Sequence, residues 1–273
     1  MAAETIAVIG ASGRSGRALA AALPGCVPVV RDGSKFPGAR VADITDAQAL
    51  RAALQDATHV ISTAHARHAA AIIAAAPPAA RLVFLGSTRR FSRWPDAHGD
   101  GVRAGEAAFL ASGRAGVMLH PTMIYGAQGE DNVQRLAALM ARLPLLPLPN
   151  AGRALVQPIH QADVTACVLA ALHRGRGAIT IAGPQALPYA EFCAAVAQAA
   201  GLVPRRVLPL PAALLIAASP LTALPFLPRI RAAEIRRLTE DKAFDIAAMR
   251  AELGVAAMPL AEGLQRTFRA SSP

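Results

Sequence analysis

Short, unbroken apolar runs alternate with alanine-rich stretches through the first 120 residues. The runs Ile6–Ile9, Val27–Val30, Arg40–Asp43, Thr58–Thr63, Arg81–Leu85 and Val117–Leu119 read as strands. Their side chains do not alternate polar with apolar, which is the signature of strands covered on both faces. Between them, Arg14–Leu23, the stretch through Leu54, Ala64–Ala76 and Gly101–Ser112 read as helices. Thr45 is expected to cap the second of these, with Asp46 in its first turn. Strands and helices in this rhythm predict an α/β fold, a Rossmann-type doubly wound parallel sheet.

Past residue 120 the pattern changes. Helices are expected over Asp131–Leu143, Gln161–His173, Tyr189–Ala200, Ala232–Leu238, Ile246–Leu253 and Leu260–Phe268, with one more strand at Ala178–Ile181 and a proline-rich piece at Leu143–Pro149. The organisation this predicts is a Rossmann-type domain over 1–182, with 121–160 contributing to the cleft. A small, mostly helical substrate cap over 183–273 follows.

The first strand runs directly into Gly10-Ala11-Ser12-Gly13-Arg14-Ser15-Gly16, and that loop opens a helix. In this context Gly10 permits the tight turn, Gly13 lets backbone approach a pyrophosphate, and Gly16 lets the helix pack closely on the sheet. The helix N–H groups then face the phosphates, and Ser12, Arg14 and Ser15 join the candidate cofactor residues. Ligands of such sheets bind beyond the carboxyl ends of the strands. Those ends bring in Arg31 and Lys35, Asp43 and Ile44 beside the adenine, and Thr63, Ala64 and His65 along the cleft. Arg31 and Lys35 favour the 2′-phosphate of NADP, whereas Asp32 keeps NAD open.

Composition narrows the partners. The 273 residues carry a formal charge of +10, are 53% hydrophobic and only 4% aromatic, so aliphatic side chains must fill the core. The basic residues are scattered arginines with no interleaved aromatics, which argues against a nucleic-acid partner and leaves a small molecule. Cys26, Cys167 and Cys193 are an odd, widely spaced set in apolar settings, read as free thiols of a reducing, cytoplasmic compartment. Val207–Pro228 holds no charge, but its prolines argue against an integral membrane span. A homodimer stays open.

Four segments in order carry a family resemblance: Gly10-x-x-Gly13-x-x-Gly16, Val29-Val30-Arg31-Asp32, Asp43-Ile44-Thr45-Asp46, and His120-Pro121-Thr122-Met123-Ile124-Tyr125-Gly126. Gln157-Pro158-Ile159-His160-Gln161-Ala162-Asp163-Val164 and the ending Leu253-Gly254, Pro259, Glu262-Gly263-Leu264 follow. Together they resemble the extended and atypical short-chain dehydrogenase/reductases, the NAD(P)-dependent epimerase/dehydratase and NmrA-like proteins. The resemblance implies a parallel sheet of about seven strands, a bound nicotinamide dinucleotide and a C-terminal substrate region. It places Pro121, Thr122 and Met123 near the nicotinamide and turns Tyr125 toward the substrate cleft.

One departure bears on chemistry. Most active members of that family carry Tyr-x-x-x-Lys, and here Gly129 follows Tyr125 by four residues and Cys193 follows Tyr189. Aligning Glu106 with the family's glutamate puts His98 and Val102 in the dyad's places. Hydride transfer to a carbonyl still needs a group that supplies or stabilises a proton. The candidates are Ser87 and Thr88 at the end of the fifth strand, Tyr125, and His98 in a Pro/Asp/Gly loop. His65 and His68 share a helical face but lack a third ligand, so no metal is expected there. His120 and His160 are expected in the seam between the domains. The reading is an NAD(P)-binding oxidoreductase or epimerase acting on a small, fairly apolar carbonyl, alcohol or sugar-type substrate. Its alternative is a non-catalytic NADP(H)-binding redox sensor of NmrA-like type.

Overall fold

The structure, a computed structural model, describes residues 4–126, 132–220 and 231–269. Its first part runs β1 (Ile6–Ile9), α1 (Arg14–Ala22), β2 (Val27–Val30), β3 (Arg40–Val41), α2 (Ala47–Leu54) and β4 (His59–Ser62). It continues α3 (Ala69–Ala75), β5 (Arg81–Leu85), α4 (Ala97–Ala111) and β6 (Gly116–Pro121). The second part begins β7 (Ile124–Tyr125), α5 (Asn132–Arg142), β8 (Leu145–Pro149), β9 (Leu155–Val156), β10 (Ile159–His160), α6 (Gln161–Ala171) and β11 (Gly177–Ile181). It ends β12 (Leu187–Pro188), α7 (Tyr189–Ala199), β13 (Arg206–Leu210), α8 (Ala212–Ala218), α9 (Ala232–Arg237), α10 (Ala247–Leu253) and α11 (Leu260–Arg269).

Seven strands form one parallel sheet in the order β11-β6-β5-β4-β1-β2-β3. The order reverses at β1, where a doubly wound sheet opens its crevice. The period of two along each strand divides the core. Val8, Ile61, Val83, Leu85, Val117 and Leu119 pack on one face with Leu19, Val164, Val168 and Leu253. Ala7, Ile9, Val60, Leu82, Phe84 and Met118 pack on the other with Leu50, Leu54, Ile72, Val102 and Phe109. Both faces are covered, which accounts for the unbroken apolar runs.

Local chemistry corrects several boundaries. Asp46, not Thr45, caps α2: its carboxylate accepts from the N–H groups of Gln48 and Ala49. Thr45 instead donates to Asp43 through both N–H and hydroxyl. The expected helix at 64–76 begins as a 3-10 turn at Ala66–His68, capped by the His65 ring, and only then becomes α3. α4 starts at Ala97 rather than Gly101, because Asp96 takes the Gly99 N–H. His98 therefore sits in a helical first turn, not in a loop.

The C-terminal part has its own core of Tyr125, Val133, Met140, Leu146, Leu148, Phe192, Val196 and Leu264. It is not purely helical: β7 pairs β10, β9 pairs β12, and β8 pairs β13. The proline-rich stretch is β8, pairing in parallel with β13 in the register Leu146↔Val207 and Leu148↔Pro209. Its prolines fall at positions 147 and 149, two apart, so their missing N–H groups share one edge. The expected helix start at Asp131 and residues 221–228 of the uncharged stretch lie outside the described residues. Among the described residues, no helix is long and apolar enough to cross a membrane.

Candidate functional site

A cleft of about 450 Å³ opens at the carboxyl ends of β1 and β4. Gly10, Ser12, Gly13, Arg14 and Ser15 line one wall, with Thr63, Ala64, Ile124 and Gln161 completing it. The glycines are required by space. Gly10 has φ +80°, and a Cβ there would stand 2.7 Å from Thr63 Oγ1. A Cβ on Gly16 would stand 2.1 Å from the Gly10 carbonyl oxygen and 2.8 Å from Ala11 Cα, both backbone atoms that cannot yield. Gly13 brings no side chain that could cap the first turn of α1, the arrangement in which helix N–H groups take an anion. Ser15 Oγ donates to Gln161 Oε1 at 2.9 Å, joining the loop to the start of α6.

Beyond β2, Asp32 is already engaged. Its carboxylate accepts from the Ser34 hydroxyl at 2.7 Å and the Ser34 N–H at 3.1 Å, and Lys35 Nζ lies 3.8 Å away. The Ser34 hydroxyl is the largest reason that the carboxyl is held below its usual range. Arg31 is exposed beside it. Arg17 bridges the glycine loop to this turn, donating to the carbonyls of Ser12 and Lys35, each at 3.0 Å. Asp43 accepts both hydrogen bonds from Thr45, and Ile44 packs against the sheet core.

The carboxyl ends of β5 and β6 are built from buried side chains. Ser87 N donates to His120 Nδ1 at 3.1 Å, and His120 Nε2 lies 2.6 Å from Glu106 Oε2. Since Nδ1 accepts, the imidazole proton is on Nε2, the ring atom beside the glutamate. Arg90 Nε reaches the same carboxylate oxygen at 2.8 Å. His120 is 1% exposed and Glu106 6%. Burial holds the imidazole below its ordinary value, although Glu106 pulls the other way. His120 is thus enclosed between β5, β6 and α4 and is not a residue of the domain seam. His160 caps α6, accepting from Ala162 N at 3.1 Å.

Ser87 Oγ accepts from Arg89 N at 3.2 Å, whereas the Thr88 hydroxyl donates to the Pro121 carbonyl at 3.2 Å. Thr122 is tied down by donating to the Gln157 and Ile181 carbonyls, and Met123 leans on the C-terminal core. The His98 ring lies edge-on to His65, 4.4 Å between centroids, which brings the β4 end to the start of α4. Both imidazoles are held below their ordinary value, burial first. Ser92 and Arg93 N donate to the carboxylate of Glu240, docking the β5–α4 loop on the C-terminal part.

Tyr125 does not face the cleft. It is 1% exposed, in the C-terminal core, with its hydroxyl against Gly263, and burial raises the phenol far above its usual value. Tyr189 is likewise packed against that core. Lys35 is exposed beyond β2, and Lys242 Nζ donates to the carbonyls of Arg237 and Glu240. No tyrosine–lysine pair stands at the cleft among the described residues. Sequence reasoning missed Ile124 and Gln161 as cleft residues and the Glu106–His120 pair. Gln161 had one signal, since the first residue of a helix flanking the glycine loop must border the same crevice.

No family model matches the chain, and no curated protein sequence matches it. Solved structures do match in fold. The crystal structure of gox2253 superposes with a TM-score of 0.75 at 16% identity, covering 99% of each chain. The NADPH-dependent quinone oxidoreductase QOR2 from Escherichia coli, complexed with NADPH, gives 0.73 at 21% identity over 97% of this chain and 100% of that one. UDP-N-acetylglucosamine 4-epimerase from Bacillus cereus gives 0.72 at 16% identity over 98% and 96%. Short-chain dehydrogenase/reductase and epimerase structures are thus the neighbours of this seven-stranded sheet.

Proposed function

We propose that the cleft binds NADP(H) and that the chain uses it for hydride transfer on a small, largely apolar carbonyl, alcohol or sugar-type substrate. The observation that carries the reading is the Gly10–Gly16 loop, where backbone contacts exclude a side chain at Gly16 and leave the α1 turn open to an anion. The fold neighbours crystallised with NADPH or NAD support it. NADP is favoured over NAD because Ser34 and Lys35 already occupy Asp32, the group that would take a ribose 2′-hydroxyl. Arg31 is exposed beside it for a 2′-phosphate.

Ser87 is the first choice for the group beside the reacting oxygen. Its backbone is held by His120, and its Oγ accepts one N–H, so its own proton can go to a developing alkoxide. Thr88 is a weaker choice because its proton is given to Pro121. His98 is the alternative donor. Stereospecific NADPH oxidation across a carbonyl panel, with cofactor binding measured separately, tests the reading. Arg31→Glu is expected to weaken NADPH binding about tenfold while leaving NADH unchanged. Ser87→Ala is expected to lower kcat by about tenfold or more with unchanged cofactor affinity.

The lack of a tyrosine–lysine pair at the cleft favours a second reading, an NADP(H)-binding redox sensor. Tight NADPH binding without turnover on any substrate, together with a partner captured only at one NADPH/NADP ratio, would select it.

A further inference from the structure

The amino edge of the sheet, opposite the cleft, carries a cluster that the cofactor reading does not use. Glu4 leads into β1, His59 opens β4, and His173 follows the end of α6. They are 55 and 114 residues apart along the chain, yet one ligand atom from each lies within 4.8 Å of the other two. The imidazoles of His59 and His173 stand 5.7 Å apart, edge to face. We propose that Glu4, His59 and His173 form a binding site for a divalent transition-metal ion of the zinc class.

The backbone holds the three in place. Thr5 extends the sheet ladder past β1: its N–H donates to Thr58 Oγ1, and its carbonyl accepts from Thr58 N and His59 N. Glu4 is thereby set beside His59. The His173 N–H closes the last turn of α6 on the Ala170 carbonyl. Two donors on one tetrahedral zinc ion stand about 3.4 Å apart, given bonds of about 2.0–2.2 Å. Small side-chain rotations bring these three donors to that spacing, and water completes the coordination at this open edge.

The surroundings of His59 prepare it as a ligand. Thr58 Oγ1 accepts the Thr5 N–H, lies 3.1 Å from the Thr5 carbonyl, and is 3.0 Å from His59 Nδ1. With its one proton on that carbonyl, the hydroxyl is free to accept from Nδ1–H, and in that tautomer Nε2 has its lone pair for a metal. A fixed partner on the other ring nitrogen is what metal-bound histidines have. In the other tautomer the ring N–H donates to the Leu172 carbonyl, a hydrogen bond that coordination at that nitrogen gives up. Arg81 is the fixed cation nearby, and its guanidinium is bound to the carbonyls of Ala171, Arg174 and Gly175. Glu4 supplies the negative charge, and two imidazoles with one carboxylate suit a borderline ion.

The test is titration of tag-free, chelator-stripped protein with Zn²⁺ against a chromophoric chelator, with the thermal midpoint followed in parallel. One ion per chain at micromolar affinity is expected, with a higher thermal midpoint. Glu4→Gln, His59→Ala and His173→Ala are each expected to weaken binding about tenfold or more and to abolish the midpoint shift. His173 is exposed, so its variant folds and keeps the test decisive even where the half-buried His59 does not tolerate change. No saturable binding in the micromolar range, or affinity unchanged in His173→Ala, overturns the proposal. So does loss of binding in Cys26→Ser, which would assign the ion to the half-exposed thiol. Cofactor affinity at the opposite edge is expected to be the same with and without the ion.

Discussion

The two sides of the sheet's carboxyl edge are made in different ways. At β1 and β4 the cleft is shaped by what is missing: three glycines, no capping side chain, and backbone atoms at contact distance. At β5 and β6 it is shaped by what is buried: His120 between Ser87 and Glu106, with Arg90 on the same carboxylate. The first side, where the proposed function seats a phosphate, has no room for a Cβ at Gly10 or Gly16. The second is an electrostatic assembly whose members support one another. Under the proposed function, binding and chemistry can therefore change independently, and a chain can keep the first while rebuilding the second.

The most damaging single change is expected on the glycine side. Gly16→Val places a side chain into the Gly10 carbonyl, and NADPH affinity should fall about 100-fold or more by calorimetry. Glu106→Leu breaks the other side by leaving His120 and Arg90 without their carboxylate. Loss of one partner of a buried pair predicts about 3 kcal/mol of lost stability in chemical denaturation. NADPH affinity should change little once the variant is folded.

How far each side was legible follows from the same contrast. Glycine spacing and the position of the loop are local, and the doubly wound parallel sheet could be read from the alternation of apolar runs with helical stretches. The Ser87–His120–Glu106 assembly joins residues 33 and 14 positions apart, and each looks ordinary by itself. Tyr125 was misdirected because its neighbours in sequence resemble a cleft segment, while burial is decided by Gly263 and the helix it opens for the ring. α4 was started late because Asp96 caps it ahead of two glycines, which mark a loop by composition. In the C-terminal part β8–β13 and β9–β12 were hidden by their prolines, and β7–β10 by being two residues long. The amino-edge cluster was invisible for the opposite reason: its three residues meet only when β1, β4 and α6 are assembled.

A gentler probe of the comparison is pH. His120 and His98 are held below their ordinary value mainly by burial, so the unfolded chain takes up their protons first as pH falls. Stability should be full above about pH 6.5 and decline below it. His120→Gln should flatten that decline more than His98→Gln in urea midpoints measured from pH 7.5 to 5.5, since His120 is the more deeply buried. The smallest effect is expected from Tyr125→Phe. With its hydroxyl enclosed against Gly263, turnover should change less than about twofold, and stability by about 1 kcal/mol or less.

The prolines of β8 have a consequence for how this molecule lives among its own copies. A strand at the border of a sheet offers a row of donors and acceptors on which another chain can grow. In β8 the donors at 147 and 149 do not exist, and they fall on one side, so the N–H groups of Leu146 and Leu148 serve the other, toward β13. At 147 and 149 that side offers carbonyl oxygens, which accept but cannot donate. Leu145 and Leu208 are exposed on this strand pair, and an intact ladder edge beside them would invite self-association. The missing donors keep a greasy border from becoming a template.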